Sequence, residues 1–217
     1  MNNLAIADMQ ITAKILDGNY WDNRYENDDA VWDLGTISPP IRAYIDQLTD
    51  KNVRVLIMGC GNAHEAEYLV ENGFTDITLI DIAPTLVENL KQKFASKPQV
   101  KVILGDFFEL NQTFDLVLEQ TLFCAIDPKL RPDYVQKMKE IVVPQGKIVG
   151  VMFSKIFEKE GPPFGGTKEE YTQYFEPYFD IKTLDDCHNS ADKRQGVEVF
   201  INFARKMPVL LDFNNLD

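Results

Sequence analysis

The stretch VRVLIM at positions 53–58 constrains the fold more than any other part of the chain, because it ends abruptly in Gly59-Cys60-Gly61. Apart from Arg54 the run is apolar, which is typical of a strand that is buried on both faces of a parallel sheet. Helical spacing of apolar residues follows over positions 62–72. Glycine permits unusual backbone angles and lets a ligand approach the main chain closely. We therefore expect a ligand to lie against this turn.

The rest of the chain repeats this alternation of strand and helix. Six more strands are predicted at positions 77–82, 100–104, 114–118, 147–153, 179–184 and 196–204, and further helices at 38–48, 85–95, 131–142 and 167–175. Continuous apolar strands separated by helices indicate a parallel sheet covered on both faces. Only a loop separates the last two strands, which favours an antiparallel pair at one edge. The sequence thus predicts an α/β, Rossmann-like fold, with a mostly parallel seven-stranded sheet, an antiparallel edge strand and helices on both faces.

Length and composition indicate one folded unit with an N-terminal extension. The chain has 217 residues, of which 45% are hydrophobic, and this is enough for one well-buried core but short for two domains. Residues 1–37 stand apart as an aromatic-rich segment, and residues 38–217 are predicted to form the single domain. The oligomeric state and the role of the C-terminal tail do not follow from the sequence.

Charge and cysteine content narrow the classes of partner. A formal net charge of −12 repels nucleic acid and anionic membrane surfaces, so neither is expected as a partner. The three cysteines, Cys60, Cys124 and Cys187, lack metal-ligand spacing, and no metal site is expected. No apolar run approaches the roughly 18 residues of a membrane span and no signal peptide is visible, so a cytoplasmic location is expected.

The residues around the glycine turn indicate which ligand it binds. A dinucleotide fingerprint would need a third glycine where His64 stands, and the Gly-Lys-Ser/Thr ending of a P-loop is absent. Asp81 ends the second strand, 22 positions after Gly59. A carboxylate there can accept hydrogen bonds from the ribose of an adenosine, or it can cap the helix that begins near Pro84. An adenosine without a pyrophosphate fits this pattern, and S-adenosylmethionine (SAM) is such a ligand.

Two residues after the third strand extend this hypothesis. Asp106 is placed to accept a hydrogen bond from an adenine amino group, and Phe107 is placed to flank the ring. The alternative role of Asp106 is that of a turn aspartate.

Three motifs together resemble class I SAM-dependent methyltransferases of the thiopurine methyltransferase superfamily. The segment YWDNRYENDDAVWDLGTISPP, with Trp21, Tyr25 and Trp32, is similar to the entry segment that closes over SAM in that family. The stretches FDLVLEQTLFCAIDPKLRPDYVQKM and GPPFGGTKEEY resemble its thiol/halide methyltransferase branch. The resemblance covers residues 19–206. It implies the class I methyltransferase fold, SAM as cofactor, S-adenosylhomocysteine as product and a small-molecule methyl acceptor.

The resemblance also implies a set of cofactor-binding residues. In this family the glycine turn contacts the methionine part of SAM, and the acid after the second strand holds the ribose. The implied set is Trp21, Tyr25, Trp32, Gly59, Gly61, Asp81, Ile82, Asp106, Phe107, Glu119 and Gln120. The chain departs from the family at three positions: Tyr25 stands where Trp is usual, Gln120 where Tyr is frequent, and Phe164 where Tyr is common. These changes leave the identity of the acceptor open.

The aromatic side chains of the N-terminal segment suit a sulfonium cation. Trp and Tyr faces attract cations by roughly 0.5–2 kcal/mol when desolvated, and a lid that carries them would also exclude water. The alternative is that Trp21, Tyr25 and Trp32 fill gaps in the core. Their spacing, followed by WDLG, favours a cofactor lid.

The expected reaction is in-line methyl transfer to a small soft nucleophile, that is, a thiol, a thiopurine, a halide or thiocyanate. Such a reaction needs alignment and a dry site more than a general base, and no catalytic residue is assigned. The candidate acceptor-pocket residues are Phe123, Phe153, Phe164, Tyr171, Arg131 and Arg194, with the two arginines as possible anion contacts. Core packing is the alternative for Phe123 and Phe153, and a solvated loop position is the alternative for Arg194.

Two other functions compete with methyl transfer. One is an NAD(P)-dependent oxidoreductase on a related sheet, which the missing third glycine disfavours. The other is a non-catalytic SAM-binding or interaction module, which the departures at positions 25, 120 and 164 leave open.

Overall fold

The computed structural model describes residues 16–208, and within this range seven strands form one sheet. The strands are β1 (Val55–Met58), β2 (Ile77–Asp81), β3 (Val100–Leu104), β4 (Phe114–Gln120), β5 (Val142–Phe153), β6 (Phe179–Asp186) and β7 (Glu198–Arg205). Each of the seven predicted strands is confirmed. The largest difference in a strand boundary is at β5, which begins at Val142, whereas the strand was predicted to begin at position 147.

The strand order in the sheet is β3-β2-β1-β4-β5-β7-β6. The strands from β3 to β5 in this order pair in parallel, and β7 pairs antiparallel with both β5 and β6. The predicted antiparallel pair at one edge is confirmed, with β6 as the outermost strand and β7 inside it. The strand order reverses between β1 and β4, and ligands of open parallel sheets bind beyond the carboxyl ends of the strands at such a point.

Helices cover both faces of the sheet, as predicted. The helices are α1 (Gly18–Glu26), α2 (Pro39–Ile45), α3 (His64–Glu71), α4 (Pro84–Lys93), α5 (Arg131–Ile141) and α6 (Lys168–Phe175). Buried residues of α2, α3 and α4, such as Ile41, Leu69 and Leu90, pack on one face. Tyr134 of α5 and Phe175 of α6 pack on the other. The sheet therefore lies between two apolar layers, and both of its faces are removed from water.

The N-terminal segment contains a helix that the sequence analysis did not predict. Helix α1 buries none of its residues completely, so its sequence lacks the strong apolar stripe that marks a core helix. The carboxylate of Asp17 caps its first turn by accepting a hydrogen bond from the backbone N–H of Tyr20 at 2.9 Å. Within residues 16–208, none of the helices has the length and apolar character that crossing a membrane requires.

Candidate active site

The predicted glycine turn lies at the carboxyl end of β1, beside the end of β4. Gly59 and Gly61 have φ angles of +52° and +49°, in the left-handed region that favours glycine. A Cβ atom on Gly59 would approach the Leu122 side chain to 2.7 Å, and one on Gly61 would approach the Tyr25 hydroxyl to 2.9 Å. The turn is therefore bare because the side chains of Leu122 and Tyr25 approach its main chain closely, and the predicted ligand contact stays a prediction.

The N-terminal segment, which we call the lid (residues 16–37), lies across the ends of β1 and β2. A Cβ atom on Gly18 would collide with the backbone carbonyl of Ile82, so α1 sits directly on the loop after β2. The Asp22 carboxylate accepts a hydrogen bond from the backbone N–H of Thr85 at 2.9 Å, within the first turn of α4. A lid residue thus satisfies a free amide of α4, which ties the lid to the sheet domain.

The aromatic residues of the lid form one cluster. The Trp32 ring makes edge contacts with Trp21 and Tyr25, at centroid distances of 5.4 and 5.6 Å, and its indole N–H donates to the Tyr25 hydroxyl at 3.3 Å. The Arg24 guanidinium stacks on the Trp32 ring at 4.8 Å and pairs with Asp29 at 2.6 Å. Tyr25 and Trp32 line a cleft over the glycine turn, and Trp21 packs behind them on the core.

Asp33 fastens the lid to the glycine turn, a role that the sequence analysis missed although it noted the WDLG stretch. Its carboxylate accepts from the Gly35 N–H at 2.6 Å and from the Asn62 side chain, and it lies 2.9 Å from Nε2 of His64. Burial opposes ionisation, but these hydrogen bonds outweigh it and lower the pKa of Asp33. Asp33 is therefore held as a carboxylate at the start of α3.

Arg194 fastens the lid from the opposite side. Its side chain is only 6% exposed, donates a hydrogen bond to the backbone carbonyl of Trp32, and pairs with Glu198 at 3.1 Å. Its guanidinium also lies 5.3 Å from the centroid of the Phe153 ring. Arg194 is therefore not a solvated loop residue but lines the cleft, and its role as an acceptor-pocket residue stays a prediction.

Asp81 lies beneath the glycine turn and is 7% exposed. Its two carboxylate oxygens accept hydrogen bonds from the backbone N–H groups of Gly61, at 3.2 Å, and Ala83, at 3.1 Å. Burial raises the pKa of Asp81, and these hydrogen bonds partly offset that effect. Each carboxylate oxygen can accept a second hydrogen bond, so the group can support the turn and still bind a hydroxyl.

The loop after β3 shows the turn role for Asp106. Asp106 is exposed, and its carboxylate accepts from the backbone N–H of Phe108 at 3.0 Å, which caps a short 3-10 turn. Phe107 packs inside the protein against Phe108 and Tyr134, at centroid distances of 4.2 and 5.7 Å. Its ring is therefore a core group in this structure, and neither residue lines the cleft.

Neighbouring residues at the end of β4 point to opposite faces of the sheet. Glu119 is 1% exposed and accepts hydrogen bonds from the Tyr134 hydroxyl at 2.5 Å and the Phe123 N–H at 3.1 Å. Burial raises its pKa to about 7. Glu119 thus organises the loop after β4 from inside the core. Gln120 lines the cleft, and its buried Oε1 has no hydrogen-bond partner among the described residues.

Phe123 and Tyr171 were predicted as acceptor-pocket candidates, and the structure places both in the core. Each has no exposed surface. The Phe123 ring contacts Tyr134 and Tyr171 at 5.0 and 5.7 Å, and the Tyr171 hydroxyl donates to the backbone carbonyl of Phe153. Their aromatic character therefore reflects interior packing, the alternative stated for Phe123. Phe153 is 9% exposed, and the Arg194 guanidinium packs over its ring.

Arg131 was predicted as a possible anion contact, but its two terminal nitrogens are engaged within the protein, and its buried Nε has no partner among the described residues. It pairs with Glu170 at 2.6 Å, donates to the carbonyl of Gly165 at 2.8 Å, and lies 4.9 Å from the Phe123 ring centroid. Arg131 is 2% exposed and does not line the cleft. Its role is to hold the loop that carries Phe164, a partly buried residue whose N–H donates to the Cys124 carbonyl at 2.6 Å.

The structure thus brings part of the predicted set together in one cleft. The predicted residues that line it are Tyr25, Trp32, Gly59, Gly61, Gln120 and Arg194. Asp81 and Ile82 support the turn and the lid from outside the cleft wall. The lining residues that the sequence analysis did not select include Leu34, Thr36, Asn62, His64, Glu65 and Thr121. Most of these residues are next in sequence to a predicted motif residue. Selecting the neighbours of each motif residue would therefore have found them.

Comparison with known proteins now adds to this geometry. Residues 16–209 match the family described as Thiopurine S-methyltransferase (TPMT). The chain belongs to the thiopurine S-methyltransferase family. It is therefore a SAM-dependent methyltransferase that acts on a soft nucleophile, and the oxidoreductase and non-catalytic alternatives find no support.

Relatives of this family member include plant enzymes. It is 29% identical over 184 residues to probable thiol methyltransferase 2 of Arabidopsis thaliana, with 82% of this chain and 81% of the relative covered. It is 27% identical over 184 residues to thiocyanate methyltransferase 1 of Brassica oleracea, with the same shares covered.

A solved structure supports the class I fold. The Burkholderia thailandensis 1,6-didemethyltoxoflavin-N1-methyltransferase, crystallised with 1,6-didemethyltoxoflavin and S-adenosylhomocysteine, superposes with a TM-score of 0.68 at 16% identity. The match covers 93% of this chain and 98% of that enzyme. At this identity the likeness concerns the fold alone.

The cleft has the features that a thiopurine S-methyltransferase family member needs for SAM. The positive φ angles at Gly59 and Gly61 favour glycine, so the turn carries no side chain at these two positions. Tyr25 and Trp32 present aromatic groups to the same space, and the unpartnered Gln120 Oε1 is an acceptor for a ligand donor. The residues present therefore fit this cofactor.

Proposed function

We propose that this enzyme transfers a methyl group from SAM to a thiol, a thiopurine, a halide or thiocyanate in the cleft over the glycine turn. The observation that carries the proposal is the lid, whose Tyr25 hydroxyl stands against Gly61 while Asp33 and Arg194 fasten it from two sides. A cleft that is covered in this way excludes water from the reacting groups. The proposal divides the chain into an N-terminal segment, residues 1–37, of which residues 16–37 form the lid described above, and one methyltransferase domain, residues 38–217.

The cofactor-binding roles follow from the position of each residue. The backbone of Gly59 and Gly61 would hold the methionine part of SAM, and Asp81 would accept from a ribose hydroxyl. SAM, when bound, supplies the methyl group as a sulfonium. The aromatic faces of Tyr25 and Trp32 would attract that positive charge, with roughly 0.5–2 kcal/mol for a desolvated cation–aromatic contact.

The acceptor side requires alignment more than proton transfer. A thiol with a pKa of about 8.5 is already a few per cent thiolate near neutral pH, so it can react without a dedicated base. Holding the nucleophile in line with the methyl group can remove several kcal/mol of barrier. Phe153 and Arg194, which contact each other beside the cleft, are the predicted acceptor-pocket residues that remain closest to the lid.

Isothermal titration with SAM and S-adenosylhomocysteine tests the binding half of the proposal. We expect submillimolar binding by the wild type, and a dissociation constant for SAM that is about 2- to 30-fold higher in Trp32→Ala because one cation–aromatic contact is lost. Val31→Ala is the matched control, since Val31 is a lid residue that is 78% exposed, and it should bind as the wild type does. Absence of SAM binding would refute the proposal, and normal binding by Trp32→Ala would refute the role of the lid aromatics.

A panel of acceptors tests the catalytic half. Formation of S-adenosylhomocysteine is measured by mass spectrometry with 2-mercaptoethanol, 6-mercaptopurine, iodide and thiocyanate. Turnover with at least one of these compounds is expected. A protein that binds SAM but methylates none of them would contradict the proposed acceptor class.

A further inference from the structure

The charges around the cleft favour a cation over an anion. Among the described residues that line the cleft, Arg194 is the one arginine or lysine, whereas Asp33 and Glu65 both contribute carboxylates. Asp81 adds a third carboxylate beneath the same turn. These groups suit the sulfonium of SAM, and they outnumber the single positive charge that it brings. An anionic acceptor would therefore depend on Arg194 for attraction.

The charge of Arg194 is already neutralised from inside the protein. Glu198, at the start of β7, is 2% exposed and lies 3.1 Å from the guanidinium, and the carbonyl of Trp32 accepts from another nitrogen of the same group. The Oε2 atom of Glu198 has no partner among the described residues, so no second donor draws its charge away from Arg194. A close, poorly solvated ion pair has little field beyond a few ångströms. Arg194 is thus a poor attractant for an anion.

We propose that the enzyme prefers a thiol that carries no further charge to a thiol that carries a carboxylate, and that Glu198 sets this preference by neutralising Arg194. The inference rests on the proposed function and narrows it. In the reaction the thiol loses its proton to solvent, the thiolate sulfur forms a bond to the methyl carbon, and the bond between that carbon and the sulfonium sulfur breaks with its electrons kept on that sulfur. Glu198 is a specificity-determining residue that acts through Arg194.

The first test compares acceptors of matched size and different charge. The kcat/KM values of the wild type for 2-mercaptoethanol and mercaptoacetate are measured with saturating SAM, each corrected for its thiolate fraction. We expect 2-mercaptoethanol to be preferred by about tenfold or more, as one unneutralised charge at roughly 10 Å would produce. Equal or better kcat/KM for mercaptoacetate would overturn the inference and leave the proposed function standing. Turnover with neither thiol, and with none of the acceptors of the earlier panel, would count against the proposed function itself.

The second test changes the charge of the pair. Glu198→Gln keeps the shape but leaves Arg194 unneutralised, so the ratio of anionic to neutral kcat/KM should rise about tenfold. The double variant Arg194→Gln/Glu198→Gln removes both charges and should return the ratio to the wild-type value. The control is Asp115→Asn, which leaves Arg54 unpaired at the opposite end of the sheet, where the pair is 2.8 Å apart; its ratio should not change. An unchanged ratio in Glu198→Gln would overturn the proposal.

A third test does not depend on turnover. The two tryptophans of the chain, Trp21 and Trp32, are both in the lid, so quenching of tryptophan fluorescence reports the charge near Arg194. Iodide quenching divided by acrylamide quenching should be higher in Glu198→Gln than in the wild type, and unchanged in Asp115→Asn. An equal ratio in Glu198→Gln would contradict the proposal. If Glu198→Gln does not fold, as thermal melting would reveal, the wild-type acceptor panel decides the matter.

Discussion

The cleft under the lid and the aromatic interior beside it share a sheet end but are built differently. The cleft is formed by main chain that glycine leaves bare and by a lid held through polar contacts of Asp33 and Arg194. The interior is formed by close ring contacts among residues such as Phe123, Tyr171 and Phe175. The first arrangement keeps space for a ligand, and the second fills it. Aromatic residues near the end of a strand therefore do not by themselves identify a binding site.

The largest expected effect is a loss of stability on truncating a ring of the aromatic interior. Phe123→Ala removes a side chain with no exposed surface, and such a change costs about 3–5 kcal/mol of the free energy of unfolding. Urea denaturation measures the loss. Ile156→Ala, at a residue that is 76% exposed, is the control and should change stability by less than about 0.5 kcal/mol. If Phe123→Ala kept wild-type stability and lost acceptor turnover, Phe123 would belong to the acceptor pocket after all.

The second-largest expected effect is a dependence of the free energy of unfolding on pH, caused by Glu119. Burial raises the pKa of this carboxyl to about 7 in the folded protein, whereas its ordinary value is 4.5. Between these values the folded state binds more protons than the unfolded state, so the free energy of unfolding falls as pH rises from about 5 to 8. The loss approaches about 3 kcal/mol from the shift in pKa. Glu119→Gln lacks this group, so its stability should fall less over the same range in urea titrations.

One outcome of the urea titrations of wild type and Glu119→Gln would contradict this prediction. If wild type and variant lose stability in parallel between pH 5 and pH 8, the carboxyl of Glu119 does not titrate in that range. A selective loss of SAM affinity in the variant, without a change in pH-dependent stability, would return Glu119 to the cofactor site that the family resemblance implied.

The sequence predicted the sheet and the position of the glycine turn well because local rules decide both. Apolar runs of fixed length mark buried strands, and Gly59 and Gly61 are required by backbone angles that few other residues adopt. The acceptor residues were predicted less well because tertiary packing decides where a side chain points. Glu119 and Gln120 are neighbours in β4, yet one faces the core and the other the cleft. Spacing alone does not fix which residue of such a pair faces the ligand.

The pairing of charges was the other property that the sequence could not provide. Arg131 and Arg194 are both arginines near the site, and each is neutralised by a carboxylate: Arg131 by the distant Glu170, and Arg194 by Glu198, four positions along the chain. Glu170 lies 39 positions from Arg131, so no local motif links the two. Asp33 lies in the WDLG stretch, which was recognised as part of a motif. Its partners Asn62 and His64 come from another part of the chain, so its contacts could not be predicted from that stretch.

The smallest of the three expected effects tests the cleft side at Asp81. Asp81→Ala should weaken SAM binding by roughly 1–3 kcal/mol, since a buried hydrogen-bonded partner is lost, and calorimetric titration measures the change. Asp81→Asn should lose less, because its amide oxygen still accepts one hydrogen bond from the turn or the ribose. Asp76→Ala, at an exposed position just before the opposite end of β2, is the control and should bind SAM normally. Normal SAM affinity in a folded Asp81→Ala protein would mean that the glycine turn and the lid bind SAM without this carboxylate. The cleft would then differ from the interior only in its bare main chain and its lid.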